Sequence, residues 1–151
     1  MTRARKTGIG ILAVFVVIQF FRPARNQRAG KLPADIIYAV PVPQAVAATL
    51  KASCYDCHSD NTIYPWYAHI QPLAWYLSRH IYKGKNELNF SEFGSYTRRK
   101  QESKIKAIAR AVKKGSMPLS SYTLMHAHTR LTDEQKKKII SWATLVQDSL
   151  E

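Results

Sequence analysis

Cys54-Tyr55-Asp56-Cys57-His58 holds both cysteines of the chain, three positions apart, with an imidazole directly behind the second. Any fold of this sequence must therefore bring two thiols and a histidine to one short turn. Four chemistries use such a spacing, and the rest of the sequence separates them. A structural zinc site needs four ligands, and there is no second cysteine pair to supply them. A thioredoxin-type dithiol sits behind a strand in a βαβ setting, and no such setting is visible. A disulfide across two intervening residues closes too small a loop to contribute much. The pattern C-x-x-C-H is also the attachment sequence of a c-type haem. Two thiols three apart on a turn entering a helix can each bond a vinyl group of the porphyrin, and the following imidazole then lies under the iron. His58 would present one ring nitrogen to iron and donate the other to a carbonyl.

Charge supports an exported protein. Residues 1–31 carry seven Lys/Arg and no acid, whereas residues 32–151 carry 16 bases and 10 acids. Behind the basic start (Arg3, Arg5, Lys6) runs an uncharged, mostly apolar stretch of 14 residues, Gly8 to Phe21. It suits a signal h-region in length. As a helix it covers roughly 21 Å, against roughly 30 Å for a hydrocarbon core. No small-x-small cleavage site follows it, so the expectation is an uncleaved signal anchor over residues 1–21, with a transmembrane helix at about 8–21. Covalent haem attachment takes place outside the bacterial cytoplasm, which puts the domain on the periplasmic side of the inner membrane.

Four of the seven prolines (Pro23, Pro33, Pro41, Pro43) fall in the next stretch, and residues 22–42 are expected to be a linker. Residues 43–151 then form the haem-binding domain. Its pattern is all-α. A first helix follows Pro43 into the cysteine motif. A second starts near Pro72 and is expected to stop at Gly84. A third covers about Thr97 to Lys114, with Ile105, Ile108, Ala109 and Val112 inward and Gly115 as its C-cap. The last opens on a capping box, Thr132 with Gln135, and carries the stripe Ile139, Trp142, Ala143, Val146. The segments 59–71 and 115–131 are long for loops of a compact domain; they are expected to wrap a large apolar cofactor.

A six-coordinate iron needs a second axial ligand opposite His58. Met117 is the first candidate: it lies beyond the helix stop at Gly115, and Pro118 keeps it out of a helix. A lone methionine more often fills a gap in a core, but here a haem motif precedes it. The rivals are Met125, His126, His128, His80 and His69. Arg98 to Lys114 carries eight bases against Glu102 alone. Its bland reading is a solvated helix face; its functional one is a docking surface for an acidic redox partner or anionic headgroups. Nucleic acid is a poor partner for an exported domain.

The blocks "CYDCHSDNTIYPWYAHIQP", "LNFSEF", "MPLSSYTLMH" and "LTDEQKKKIISWA", in that order over most of the chain, resemble the bacterial haem-binding domain family of small c-type haem proteins. The resemblance implies a cytochrome c-like helical fold, one haem c on Cys54 and Cys57, His58 as proximal ligand, Met117 at the distal position and an N-terminal membrane anchor. It implies no particular reaction. The expected function is one-electron transfer without substrate turnover. The alternatives are a haem-based redox or gas sensor or small-ligand binder, or a peroxidase-like enzyme with an open iron and a distal His or Arg, for which His126 or His128 could serve.

Overall fold

The computed structural model describes residues 2–30 and 32–150. Its regular elements are all helical; among the described residues the nearest thing to a strand is an isolated bridge between Gln27 and Asn61. The order is α1 (Arg3–Ile18), α2 (Ile36–Ala39), α3 (Gln44–Ser53), α4 (Tyr55–His58), α5 (Leu73–Glu87), α6 (Arg98–Lys114), α7 (Ser120–Met125) and α8 (Asp133–Leu150). Short 3-10 turns at Trp66–His69, Phe90–Ser95 and Ala127–Thr129 break up the connections that were expected to be irregular.

The two long C-terminal helices form as the sequence predicts. Thr97 Oγ1 accepts from the Lys100 amide, and α6 ends at Gly115, whose φ of 68° places it in the left-handed region. That conformation needs glycine because a Cβ would crowd the carbonyl. At the start of α8 the Thr132 amide donates to Gln135 Oε1 at 2.9 Å, and the Gln135 amide returns a bond to Thr132 Oγ1 at 3.2 Å. The two helices pack along each other, burying Ile105 and Val112 of α6 against Ile139, Trp142 and Val146 of α8. Leu50, Phe90 and Phe93, from the segments that precede α6, complete the core.

Two expectations change. α5 does not stop at Gly84 but runs on to Glu87; the glycine is there for clearance against a neighbour rather than to end the helix. The transmembrane helix expected at 8–21 is not found: among the described residues no helix is long and apolar enough to cross a membrane. α1 begins among Arg3, Arg5 and Lys6 and ends at Ile18, so its 16 residues amount to roughly 24 Å of helix, only part of it apolar. At its C-terminal end Gln19 fastens the chain to the domain: its Oε1 accepts from the Gln71 amide at 2.9 Å.

The proline-containing stretch 22–42 packs along the domain. Ile36 and Val40 enter the core, Asp35 caps α2 by accepting from the Ile37 amide, and the Pro41 carbonyl accepts from Trp142 Nε1 at 2.8 Å. Asp60 ties this stretch to the region behind the cysteine motif. Its carboxylate, nearly buried, takes Lys85 at 2.7 Å, Arg28 at 3.2 Å and Asn89 Nδ2 at 2.9 Å. Burial alone would push its pKa up, but these three hydrogen bonds outweigh that and hold it below the ordinary value. Replacing Asp60 with Ala leaves Asn89 Nδ2 without its acceptor and Lys85 with only Asn26 Oδ1, at 2.7 Å. Arg28 is largely solvated, so the expected loss is about 2 kcal/mol rather than the full value of a buried pair. Urea denaturation of the two proteins checks it; an unchanged midpoint would show that the clamp is decorative.

Candidate functional site

α3 delivers the first cysteine. The Cys54 amide still bonds to the Leu50 carbonyl at 2.9 Å, and the chain then kinks into α4, where the Cys54 carbonyl accepts from both Cys57 (3.2 Å) and His58 (3.0 Å). Cys54, Cys57 and His58 are thereby held on one turn. The two residues between the cysteines fasten that turn to its surroundings. Tyr55 donates to Asp35 at 2.6 Å and stacks on Phe90 with ring centres 5.0 Å apart. Asp56 accepts from the Ile63 amide at 2.8 Å and from the Tyr122 hydroxyl on α7 at 2.5 Å.

The turn faces a cavity of about 430 Å³. Its walls come from α5, α6 and the segment 117–122. Leu88, Phe90, Ile108, Val112 and Leu119 make it mostly apolar, and Lys83, Glu87 and Lys104 supply charge. Cys54, Cys57, His58 and Met117 all line it. The structure thus brings together the four residues singled out in the sequence. Of the rival ligands, His80 is part of the wall. Met125, His126, His128 and His69 lie outside it: His126 takes a 2.8 Å hydrogen bond with Tyr67, and His69 one with Arg25.

His58 has a defined tautomer. Its Nδ1 lies 3.0 Å from the Leu88 carbonyl. A carbonyl only accepts, so Nδ1 carries the proton and Nε2 keeps its lone pair. Burial lowers the pKa of the ring, offset in part by the carbonyls of Leu88 and Gly84, so the imidazole is neutral near pH 7. A neutral ring with Nδ1 tied back to a carbonyl is what a metal-ligating histidine requires.

The thiols are free and protonated. Burial pushes Cys54 up to about 12, with Cys57 adding to it, and pushes Cys57 up to about 11, with Asp56 adding to it. A catalytic dithiol needs the opposite shift, since the thiolate is the nucleophile. Zinc is equally poorly served: among the described residues no group of three or more His, Cys, Asp or Glu is placed to hold a metal ion.

A model of the haem-binding domain family matches residues 13–145. This chain belongs to that family. Haem is therefore its ligand, and the apolar cavity that gathers two thiols, a neutral imidazole and a thioether is where the residues fit one. Its volume lies within the roughly 300–1,000 Å³ of cofactor pockets. No curated protein and no solved structure matches the chain.

The sequence reading missed the groups that set this geometry. Asp35 was legible as an N-cap ahead of the apolar pair Ile36-Ile37. Asp56 was passed over because C-x-x-C-H treats its middle positions as free. Gly84 and the Leu88 carbonyl carry no sequence signal of their own; their role exists only once α5 lies across α4.

Proposed function

We propose that this protein is a mono-haem c-type electron carrier, membrane-associated, with its haem domain in the periplasm. The observation that carries the reading is the shared wall: Cys54, Cys57, His58 with Nε2 unprotonated, and Met117 all border one apolar cavity. In this assignment Cys54 and Cys57 hold the porphyrin edge through thioethers, and their burial keeps them from competing thiol chemistry. His58, oriented by the Leu88 carbonyl, would offer Nε2 to the iron. Met117, on the segment between α6 and α7, would offer its thioether as a second ligand. Haem supplies the iron that changes oxidation state by one electron; the chain supplies the ligands, excludes water with Phe90, Ile108 and Val112, and offers a surface to a partner. Turnover of a substrate is not part of this assignment. The bases of α6, two turns of which pass the cavity at Lys104 and Ala111, favour an acidic redox partner. α1, apolar from Gly8 on and without a single buried residue, is the element assigned to the membrane.

Periplasmic maturation of the full chain tests this. The expected product carries the added mass of one haem, which stays with the polypeptide through denaturation and organic extraction. It blocks both cysteines and titrates as a one-electron couple. Haem that extracts freely, or two cysteines still open to alkylation, would overturn the covalent assignment and leave a non-covalent haem binder.

A further inference from the structure

We infer that the domain itself rests on an anionic lipid bilayer, through an apolar collar around the C-terminal end of α1. The inference builds on the membrane reading of α1 and adds a second contact surface made by the domain. Gln71, nearly fully buried, fixes the relation between the two. Its amide donates to Gln19 Oε1 at 2.9 Å, its Nε2 to the Phe21 carbonyl at 2.9 Å, and Trp75 Nε1 donates to the same carbonyl at 2.8 Å. α1 therefore does not hang from a free tether; the residues just past its end, Gln19 and Phe21, are bonded to Gln71 and to Trp75 in the first turn of α5.

Around that joint large apolar side chains point to solvent. Phe20 is 82% exposed and Leu73 46%, and the side chain of Tyr76, one turn on from Leu73, is 54% exposed. Trp75 and Phe21 lie beside them, and Trp66 (72% exposed) stands on the neighbouring turn whose His69 bonds Arg25. Exposed apolar residues scattered singly mean little, but a cluster of this size marks an interaction site.

Three features select lipid as the occupant. From Gly8 on, α1 is apolar on every side, Ile11, Leu12, Val14 and Val17 all being more than half exposed, and a helix of that kind is covered all round rather than along one stripe. The cluster is rich in Trp, Tyr and Phe, whose rings favour the boundary between headgroups and hydrocarbon. Residues 2–30 contain six Lys/Arg and no acid, and Arg22 and Arg25 lie at the collar itself, where anionic headgroups attract them. The collar also complements the shortness of α1: the domain sits on the surface into which the helix dips.

The test uses the haem-loaded full chain with phosphatidylcholine vesicles, with and without about one-third phosphatidylglycerol. Wild type is expected to cosediment with both and more strongly with the anionic ones. On vesicles, hydroxyl-radical labelling of Trp66, Leu73 and Tyr76 should fall, while Leu145, exposed on α8, is labelled as in solution. The double variant Trp66→Ser/Leu73→Ser is expected to partition ~10-fold more weakly, and Leu145→Ser as wild type. If wild type binds but the collar stays fully labelled and the double variant partitions unchanged, the collar is overturned while α1 keeps its membrane role. Failure of wild type to bind either vesicle overturns both. Concentration-dependent protection of the collar without vesicles would assign it to a second copy of the chain instead, and equal binding to neutral and anionic vesicles would remove Arg22 and Arg25 from the proposal.

Discussion

Gly84→Ala is expected to destabilise the domain and to empty its haem site, although alanine is the better helix former. A Cβ on Gly84 would stand 2.5 Å from the carbonyl oxygen of Cys57 and 3.3 Å from its Cβ. The first distance is far inside van der Waals contact, and the obstacle is backbone that the Cys54 and His58 bonds hold in place. Alanine gains up to about 1 kcal/mol in a helix interior over glycine. Forcing extra volume into a packed contact costs about 1–3 kcal/mol, and a rigid carbonyl puts this site at the upper end. The net loss should be about 2 kcal/mol, read by chemical denaturation. The larger effect is on function. The His58 ring bonds the Leu88 carbonyl at the end of α5, so pushing α5 away from α4 releases the imidazole from the orientation that leaves Nε2 bare. Haem per polypeptide should fall by about tenfold or more, since misplacing a ligand's outer partner typically costs 10–100-fold. Gly8→Ala and Gly10→Ala in α1 are the contrast, because nothing lies within 4 Å of a Cβ at either position; both should leave haem content and stability as they were. A Gly84→Ala protein with full haem and an unchanged midpoint would show that α5 can shift without disturbing the site.

What the sequence reveals of this molecule follows the range over which each interaction acts. The capping box at Thr132 and Gln135, the glycine stop at Gly115 and the stripe on α8 are local: each is decided by residues within a turn or two of one another, and each appears where its pattern says. So does the presence of the thiols and imidazole on one turn, which is a matter of spacing alone. The reach of α5 past Gly84 was not legible, because a helical glycine reads as a break until a neighbour needs the room. The packing of residues 22–42 was hidden for a similar reason. Prolines suppress helical periodicity, yet the stretch is held by Asp35, Asn26 and Arg28 through partners that lie 20 or more positions away, among them Tyr55, Thr62 and Asp60. α1 misled in the opposite sense. Its composition reads as a membrane span, but its charged first turn and its end at Ile18 leave too little apolar helix to cross. The placing of Met117 and Tyr122 opposite the cysteine turn is the longest-range element of the site, 59 residues from His58 to Met117 and 66 from Asp56 to Tyr122, and rests on α6 and α8 packing as they do.

Met117→Ala is expected to open the iron while leaving the domain folded. The side chain lines the cavity, yet the residue is 37% exposed, so truncation should take away only about 1 kcal/mol, less than the 2–5 typical of a buried methionine. Removing the thioether should let the reduced protein bind carbon monoxide quickly, whereas wild type is expected to bind it poorly. It should also lower the reduction potential, because a methionine ligand favours the reduced iron. Met117→His separates the two effects: a second imidazole restores a sixth ligand and resists carbon monoxide, but keeps the potential low. His80 is the control, being the one rival ligand in the cavity wall, with its Nδ1 2.9 Å from the Tyr76 carbonyl. Should Met117→Ala stay closed to carbon monoxide while His80→Ala opens, the distal ligand is His80 and the site is bis-histidine. Rapid binding by wild type would mean a vacant or displaceable sixth position. The same cavity would then belong to a gas or redox sensor, with Met117 only filling part of its wall.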